Sequence, residues 1–125
     1  MEVKFYRCEH CGNIITKLVD KKVPVFCCGQ KMTELTANTV EASQEKHLPV
    51  ATMIDEHTVK VNVGGVDHPM IEEHYIQFLY LQTENGGQIA YLKPGQAPCV
   101  TFRCEEKPIA VYAYCNLHGL WKTTL

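Results

Sequence analysis

The tightest constraint on this chain is a cysteine pattern near its start: Cys8 and Cys11 in CEHCG, then fifteen residues, then the adjacent pair Cys27 and Cys28 in CCG. A segment of about 40 residues buries too little apolar surface to fold alone and usually needs a metal or a disulfide. Four thiolates in so short a stretch match a tetrahedral zinc or iron site. Gly12 and Gly29 each follow a cysteine pair, as expected where the backbone wraps a metal and needs positive φ. Because Cys27 and Cys28 are neighbours, both side chains must turn to one ion, which compresses an angle and distorts the tetrahedron. Spacing does not choose the metal. With iron the centre passes single electrons but has no place for substrate; with zinc it is a structural clip. His10, inside the first pair, is expected to face solvent, since four sulfurs already complete the site. Residues 1–37 therefore read as two metal knuckles joined by a short hairpin.

The total of seven cysteines is odd, and MEVKFYRCEH has no signal-peptide apolar core, so metal ligation is favoured over a secreted disulfide framework. A net charge of −2 with a pI near 6.3 offers no basic surface for nucleic acid. No apolar run approaches a membrane span. The expectation is a soluble, cytoplasmic protein.

ELTANTVEAS, residues 34–43, is polar and reads as a linker, with the boundary near residue 38. Residues 38–125 then show period-two patterning. HTVKVNV, YIQFLYLQ, QIAYLK, PCVTFR and PIAVYAYC alternate or are rich in branched and aromatic residues, with ENGG and KPGQ as turns. With no long amphipathic helix in sight, the expectation is a mostly β chain whose second part is a small antiparallel β-sandwich.

YCNLHGLWK, residues 114–122, carries a second possible site in Cys115 and His118. These two are half of a zinc site or part of a larger iron site. His47, His68 and His74 occupy loops or strand ends, where a sandwich assembles sites. His57, after Asp55 and Glu56, reads as an exposed strand residue. Pro69 holds His68 extended. Spacing alone leaves open whether these histidines meet or are scattered. If they meet Cys115, four nitrogens and one thiolate exceed what tetrahedral zinc wants and suit a square pyramid with one open position. With iron such a site is cationic and attracts a small anion, and the sulfur opposite the vacancy pushes electron density toward it.

Taken together, C-x2-C…CCG, EKHLPV, GGVDHPMIEEHYI and YCNLHGLWK resemble desulfoferrodoxin, the two-iron class of superoxide reductase, over essentially the whole chain. The resemblance implies a desulforedoxin-like domain over 1–37, with a distorted ferric site on Cys8, Cys11, Cys27 and Cys28. Over 38–125 it implies an immunoglobulin-like β-sandwich holding the catalytic iron, with His47, His68, His74 and His118 as equatorial ligands and Cys115 as the axial one. It further implies a homodimer that reduces superoxide to hydrogen peroxide and is re-reduced by a small donor protein such as rubredoxin.

In an extended loop Glu45 would share a side with His47 while Lys46 points away. Glu45 is thus expected to cap ferric iron, a role the resemblance also implies. Lys46, on its long stem, is expected to swing its ammonium toward the mouth and draw in superoxide. The Leu117 and His118 amides are spaced to donate to the Cys115 sulfur. Tyr114 and Trp121 read as packing around the ligands, and Cys99 and Cys104 as small apolar residues outside both sites. Two other readings survive: a zinc-ribbon β-domain that binds another protein, and a plain electron carrier.

Overall fold

The computed structural model describes residues 2–125, and it is built almost wholly from β-strands. It divides into two compact units, one ending at Thr36 and one running from Ala37 to Leu125. Among the described residues no helix is long and apolar enough to cross a membrane.

In the first unit β1 (Phe5–Arg7) pairs antiparallel with β2 (Ile14–Thr16). β3 (Phe26–Cys27) pairs with β4 (Gln30–Lys31), and β5 (Thr33–Glu34) returns onto β1. The knuckles are therefore not joined by a hairpin: each is the turn of its own. The second is a two-residue loop with Cys28 at φ +54° and Gly29 at φ +73°, the double positive-φ pattern that matches the twist of paired strands. Glu34, expected in the linker, belongs to β5. The buried apolar side chains of this unit are Phe5, Cys8 and Met32, while Leu18, Val19, Val23 and Phe26 lie exposed. So small a core leaves the unit dependent on what its cysteines hold.

The second unit has two antiparallel sheets. One orders β10 (Cys99–Arg103), β7 (Thr58–Val63) and β6 (Pro49–Asp55). The other orders β12 (Gly119–Thr124), β11 (Pro108–Cys115), β8 (Ile76–Thr83) and β9 (Gly87–Tyr91). Val59, Val61 and Val63 alternate inward from β7 to meet Leu79 and Leu81 of β8 and Val111 and Ala113 of β11, as period-two strands require. On the other face of β8 and β11, Tyr80 lies opposite Tyr112 and Phe78 opposite Tyr114, with ring centroids 6.2 and 5.6 Å apart. A register shift between Tyr114 and Cys115 sets Cys115 opposite Ile76, which turns Ile76 into the core.

Asn38, at φ +63°, is laced to β12: its amide donates to the Leu120 carbonyl, its Nδ2 to the Lys122 carbonyl, and its Oδ1 accepts from the Lys122 amide. Asn38, within the stretch read as a linker, is thus built onto the sheet.

Strand pairing gathers one end of this unit. Pro49 opens β6 opposite Val63, which closes β7. Ile76 opens β8 opposite Cys115, which closes β11, and Gly119 opens β12 opposite the same Cys115. Every candidate ligand of the second unit lies within a few residues of one of these ends.

Candidate metal centres

The Sγ atoms of Cys8, Cys11, Cys27 and Cys28 all lie within 4.8 Å of one another. The Cys11 amide, 3.5 Å from the Cys8 sulfur, is the main cause of a Cys8 pKa lowered to about 6. Cys28 is pushed up to about 12, first by its contact with the Cys11 thiol, and Cys27 is also raised by Cys11. Cys8 ionises readily while the Cys27 and Cys28 thiolates are opposed by their neighbours, so gathering these thiolates calls for a cation among them. His10 is exposed beside this group.

In the second unit four imidazoles close a square. Ring centroids are 4.6 Å apart for His47 and His68, 4.6 Å for His68 and His74, 5.0 Å for His74 and His118, and 4.8 Å for His118 and His47. Neighbouring planes are inclined by 74°, 84°, 76° and 90°, while His47 and His74, across the diagonal, are 6.3 Å apart at 29°. Ligand atoms of His47, His74, His118 and the Cys115 sulfur all lie within 4.8 Å of one another; His68 is outside that group, its ring centroid 4.6 Å from those of His47 and His74.

Backbone carbonyls aim the His47 and His68 rings. His47 ends α1 (Gln44–His47), a single helical turn whose N-cap Ser43 accepts from the Lys46 amide. The His47 Nδ1 donates to the Ser43 carbonyl at 2.7 Å, and the His68 Nδ1 donates to the Pro69 carbonyl at 2.7 Å. Both bonds fix the tautomer and leave Nε2 with its lone pair facing inward. His74 sits in a small bridge with Ile71, before β8 rather than opening it. Asn116 ties that segment to the Cys115 turn: its Oδ1 accepts from the Tyr75 amide, its Nδ2 donates to the Glu73 carbonyl, and its own amide donates to the Tyr75 carbonyl. His118 lies in the same turn, with Nδ1 3.0 Å from the His47 Nε2 and 3.9 Å from the Cys115 sulfur.

The turn after β7 is laced to α1 through the Gly65 and Val66 amides, which donate to the Glu45 carbonyl, and the Gly64 amide, which donates to Leu48. Gly64 holds φ +89°, and a Cβ there would meet the Val66 carbonyl oxygen. His47 and His68 thus share one rigid corner.

Burial shifts His47, His68, His74 and Cys115. It lowers the pKa of His47, His74 and His68, the last to about 4, and raises that of Cys115 against the Leu117 and His118 amides that favour its thiolate. The Nε2 atoms of His68 and His74 are buried with no hydrogen-bond partner, a costly arrangement unless something accepts their lone pairs. Neutral imidazoles at His47, His68 and His74, orphaned inward nitrogens and one buried sulfur fit a metal ion.

Glu45 and Lys46 are exposed on α1. The extended-loop alternation expected for them does not occur, because Ser43 caps a helical turn. At about 100° per residue, Glu45 starts some 200° around the axis from His47 and Lys46 about 100°. His57 lies in the turn between β6 and β7, not in a strand; its Nδ1 donates to the Cys104 carbonyl at 3.1 Å. Cys104 is buried in the core just after β10, and Cys99, which opens that strand, is half-buried. The positioning roles of Ser43, Gly64 and Asn116 went unread in the sequence, although Ser43 before Gln-Glu-Lys with Pro49 just beyond is a helix start and stop signal.

The desulfoferrodoxin family model matches residues 39–124. A desulfoferrodoxin of Desulfarculus baarsii is 44% identical over 96% of this chain and 94% of its own length. One from Syntrophotalea carbinolica is 40% identical over 98% and 96%. The crystal structure of the superoxide reductase from Treponema pallidum superposes with a TM-score of 0.82 at 34% identity, covering 99% of this chain and 100% of that one. With its cysteine-rich first unit and β-sandwich second unit, the chain belongs to the desulfoferrodoxin family and is an oxidoreductase.

Proposed function

We propose that the chain reduces superoxide to hydrogen peroxide, with one iron held by His47, His68, His74, His118 and Cys115 and a second by Cys8, Cys11, Cys27 and Cys28. The observation that carries this reading is the square of imidazoles, each steeply inclined to its neighbours, with a buried cysteine sulfur beside it. Bound iron would supply one electron to each superoxide, which with two protons becomes hydrogen peroxide, and would regain that electron from an external donor.

The residues of the chain do the rest. The Ser43 and Pro69 carbonyls hold two imidazoles in the tautomer that presents Nε2. The Leu117 and His118 amides stabilise the Cys115 thiolate and temper its donation. Lys46, exposed beside His47, raises the local concentration of a small anion and orders water that delivers protons. Glu45 closes the site between turnovers; its carboxylate starts on the far side of α1 from the His47 ring, so closure involves a change at this turn. The donor is a small redox protein such as rubredoxin, and the working unit is a cytoplasmic homodimer.

The test is iron-loaded protein under pulse radiolysis. Wild type should consume superoxide without releasing dioxygen, and Cys115→Ser should lose the sulfur-to-iron absorption of the second centre together with that activity. Dioxygen release in equal measure with peroxide would overturn the reading. Lys46→Ala should slow the encounter and flatten its dependence on salt.

A further inference from the structure

The first unit carries a cleft of about 530 Å³ whose walls include Tyr6, four lysines, Lys4, Lys17, Lys22 and Lys31, and two carboxylates, Asp20 and Glu34. Two of these lysines are engaged: Lys17 reaches Asp20 at 3.2 Å and the Val23 carbonyl at 2.7 Å, and Lys4 lies 3.9 Å from Glu34. Among the described residues no carboxylate lies within ion-pair distance of Lys22 or Lys31. Lys22 stands on a backbone fixed at φ +63°, its amide donating to the Asp20 carboxylate at 2.8 Å. Its ammonium is therefore presented by a fixed turn.

Charge is divided unevenly along the chain. Counting Lys, Arg, Asp and Glu, residues 1–36 hold six basic against four acidic side chains, a balance of +2 that four thiolates on a ferric ion would reduce to +1, and residues 37–125 hold six against ten, a balance of −4. An acidic partner is repelled by the second unit's charge and drawn to the first. The cleft also adjoins the thiols through the chain itself: Lys31 pairs with Phe26 in the hairpin whose turn carries Cys27 and Cys28, and Tyr6 is on β1, which runs into Cys8.

We propose that this lysine-walled cleft docks an acidic one-electron donor protein and so delivers electrons to the metal held by the four cysteines. The proposal rests on the reading of the chain as a superoxide reductase re-reduced from outside. In the step the donor's reduced iron loses one electron and the thiolate-bound iron gains it, with no bond made and no proton moved. Complementary charge steers such encounters and can raise association rates by about 10 to 1,000-fold, an effect that salt screens over about 10 Å at 0.1 M.

The test uses reduced rubredoxin mixed with the oxidised holoprotein in stopped flow at rising salt. Lys22→Glu with Lys31→Glu should slow reduction of the tetrathiolate centre by about tenfold or more at low salt and flatten the salt dependence. The neutral pair Lys22→Gln and Lys31→Gln should fall between it and wild type. Reversal of Lys60, exposed on β7 of the other unit, should change the rate less than about twofold. Calorimetry with redox-inert zinc-loaded rubredoxin should show binding to wild type that the reversed pair loses. Equal rates and salt slopes in all variants would overturn the proposal, as would inorganic phosphate displacing rubredoxin at low millimolar levels, which would mark a small-anion site instead. Superoxide consumption driven by photoreduced deazaflavin separates the two readings. If it persists while rubredoxin ignores the lysines, only the docking site fails; if wild type lacks it, the superoxide reading fails.

Discussion

The indole of Trp121 stacks on the imidazole of His47, with centroids 5.0 Å apart and planes inclined by 26°, while its Nε1–H donates to the His118 carbonyl at 3.1 Å. One fully buried side chain thereby holds two corners of the histidine square. Trp121→Phe keeps the stack and loses one hydrogen bond, at a cost of about 1 kcal/mol. Trp121→Ala also opens a cavity and should cost about 3–5 kcal/mol. Denaturant titrations should rank them in that order, and competition with a chelator should show weaker iron retention at the second centre for the alanine variant.

The Asn116 side chain links the His74 segment to the Cys115 turn, through Tyr75 and Glu73. Asn116→Ala should destabilise the second unit by about 1 kcal/mol, since the part-buried Tyr75 amide loses its acceptor. It should also weaken iron binding at the histidine square by about tenfold or more, the range seen when partners of metal ligands are removed. Asn116→Asp keeps the acceptor for the Tyr75 amide and should recover part of both losses.

Gly64→Ala is expected to damage the site without touching a ligand. The added Cβ would meet the Val66 carbonyl oxygen and lie 2.8 Å from the Lys46 carbonyl, at a φ of +89° that side chains rarely adopt. Strain at such a position costs about 1–3 kcal/mol. The α1 corner should part from the turn carrying His68, seen as a lower melting temperature and a changed iron spectrum; an unchanged spectrum would count against the shared corner.

Acid should unfold metal-depleted protein in a window set by the histidines. Burial holds the pKa of His68 near 4 and also lowers His47 and His74, whereas an unfolded chain titrates near 6.5. Below about 6.5 the unfolded state binds more protons than the native one, so stability is complete above that pH and is lost progressively down toward about 4. Denaturation midpoints measured across this range should fall, and His68→Gln should make the fall shallower.

Stripping the metal from the four cysteines should melt the first unit while the second keeps its strands. The first unit buries only a few apolar side chains, whereas the second has a continuous core from β7, β8 and β11. Chelation followed by hydrogen exchange should expose the amides of β1 to β5 and leave those of β8 and β11 protected.

What is local was legible before any fold was known. Cys-x2-Cys and Cys-Cys-Gly can gather four sulfurs in one short unit because a turn needs only a few residues and a glycine at positive φ. Period-two patterning fixed which side of β7 and β8 faces inward, and the family motifs marked the histidines. Residue spacing could not bring His47, His68, His74 and His118 together, because they stand on separate connections whose meeting depends on strand register. Pairing Pro49 with Val63 and Ile76 with Cys115 draws those connections to one end of the sandwich. The helical turn at Gln44–His47 likewise overrode the extended reading of Glu45 and Lys46. Its Ser43 cap and its bonds to Gly65 and Val66 reward the helix only once the turn after β7 is folded beside it. Local chemistry chose the ligands' types; long-range backbone pairing decided where they point.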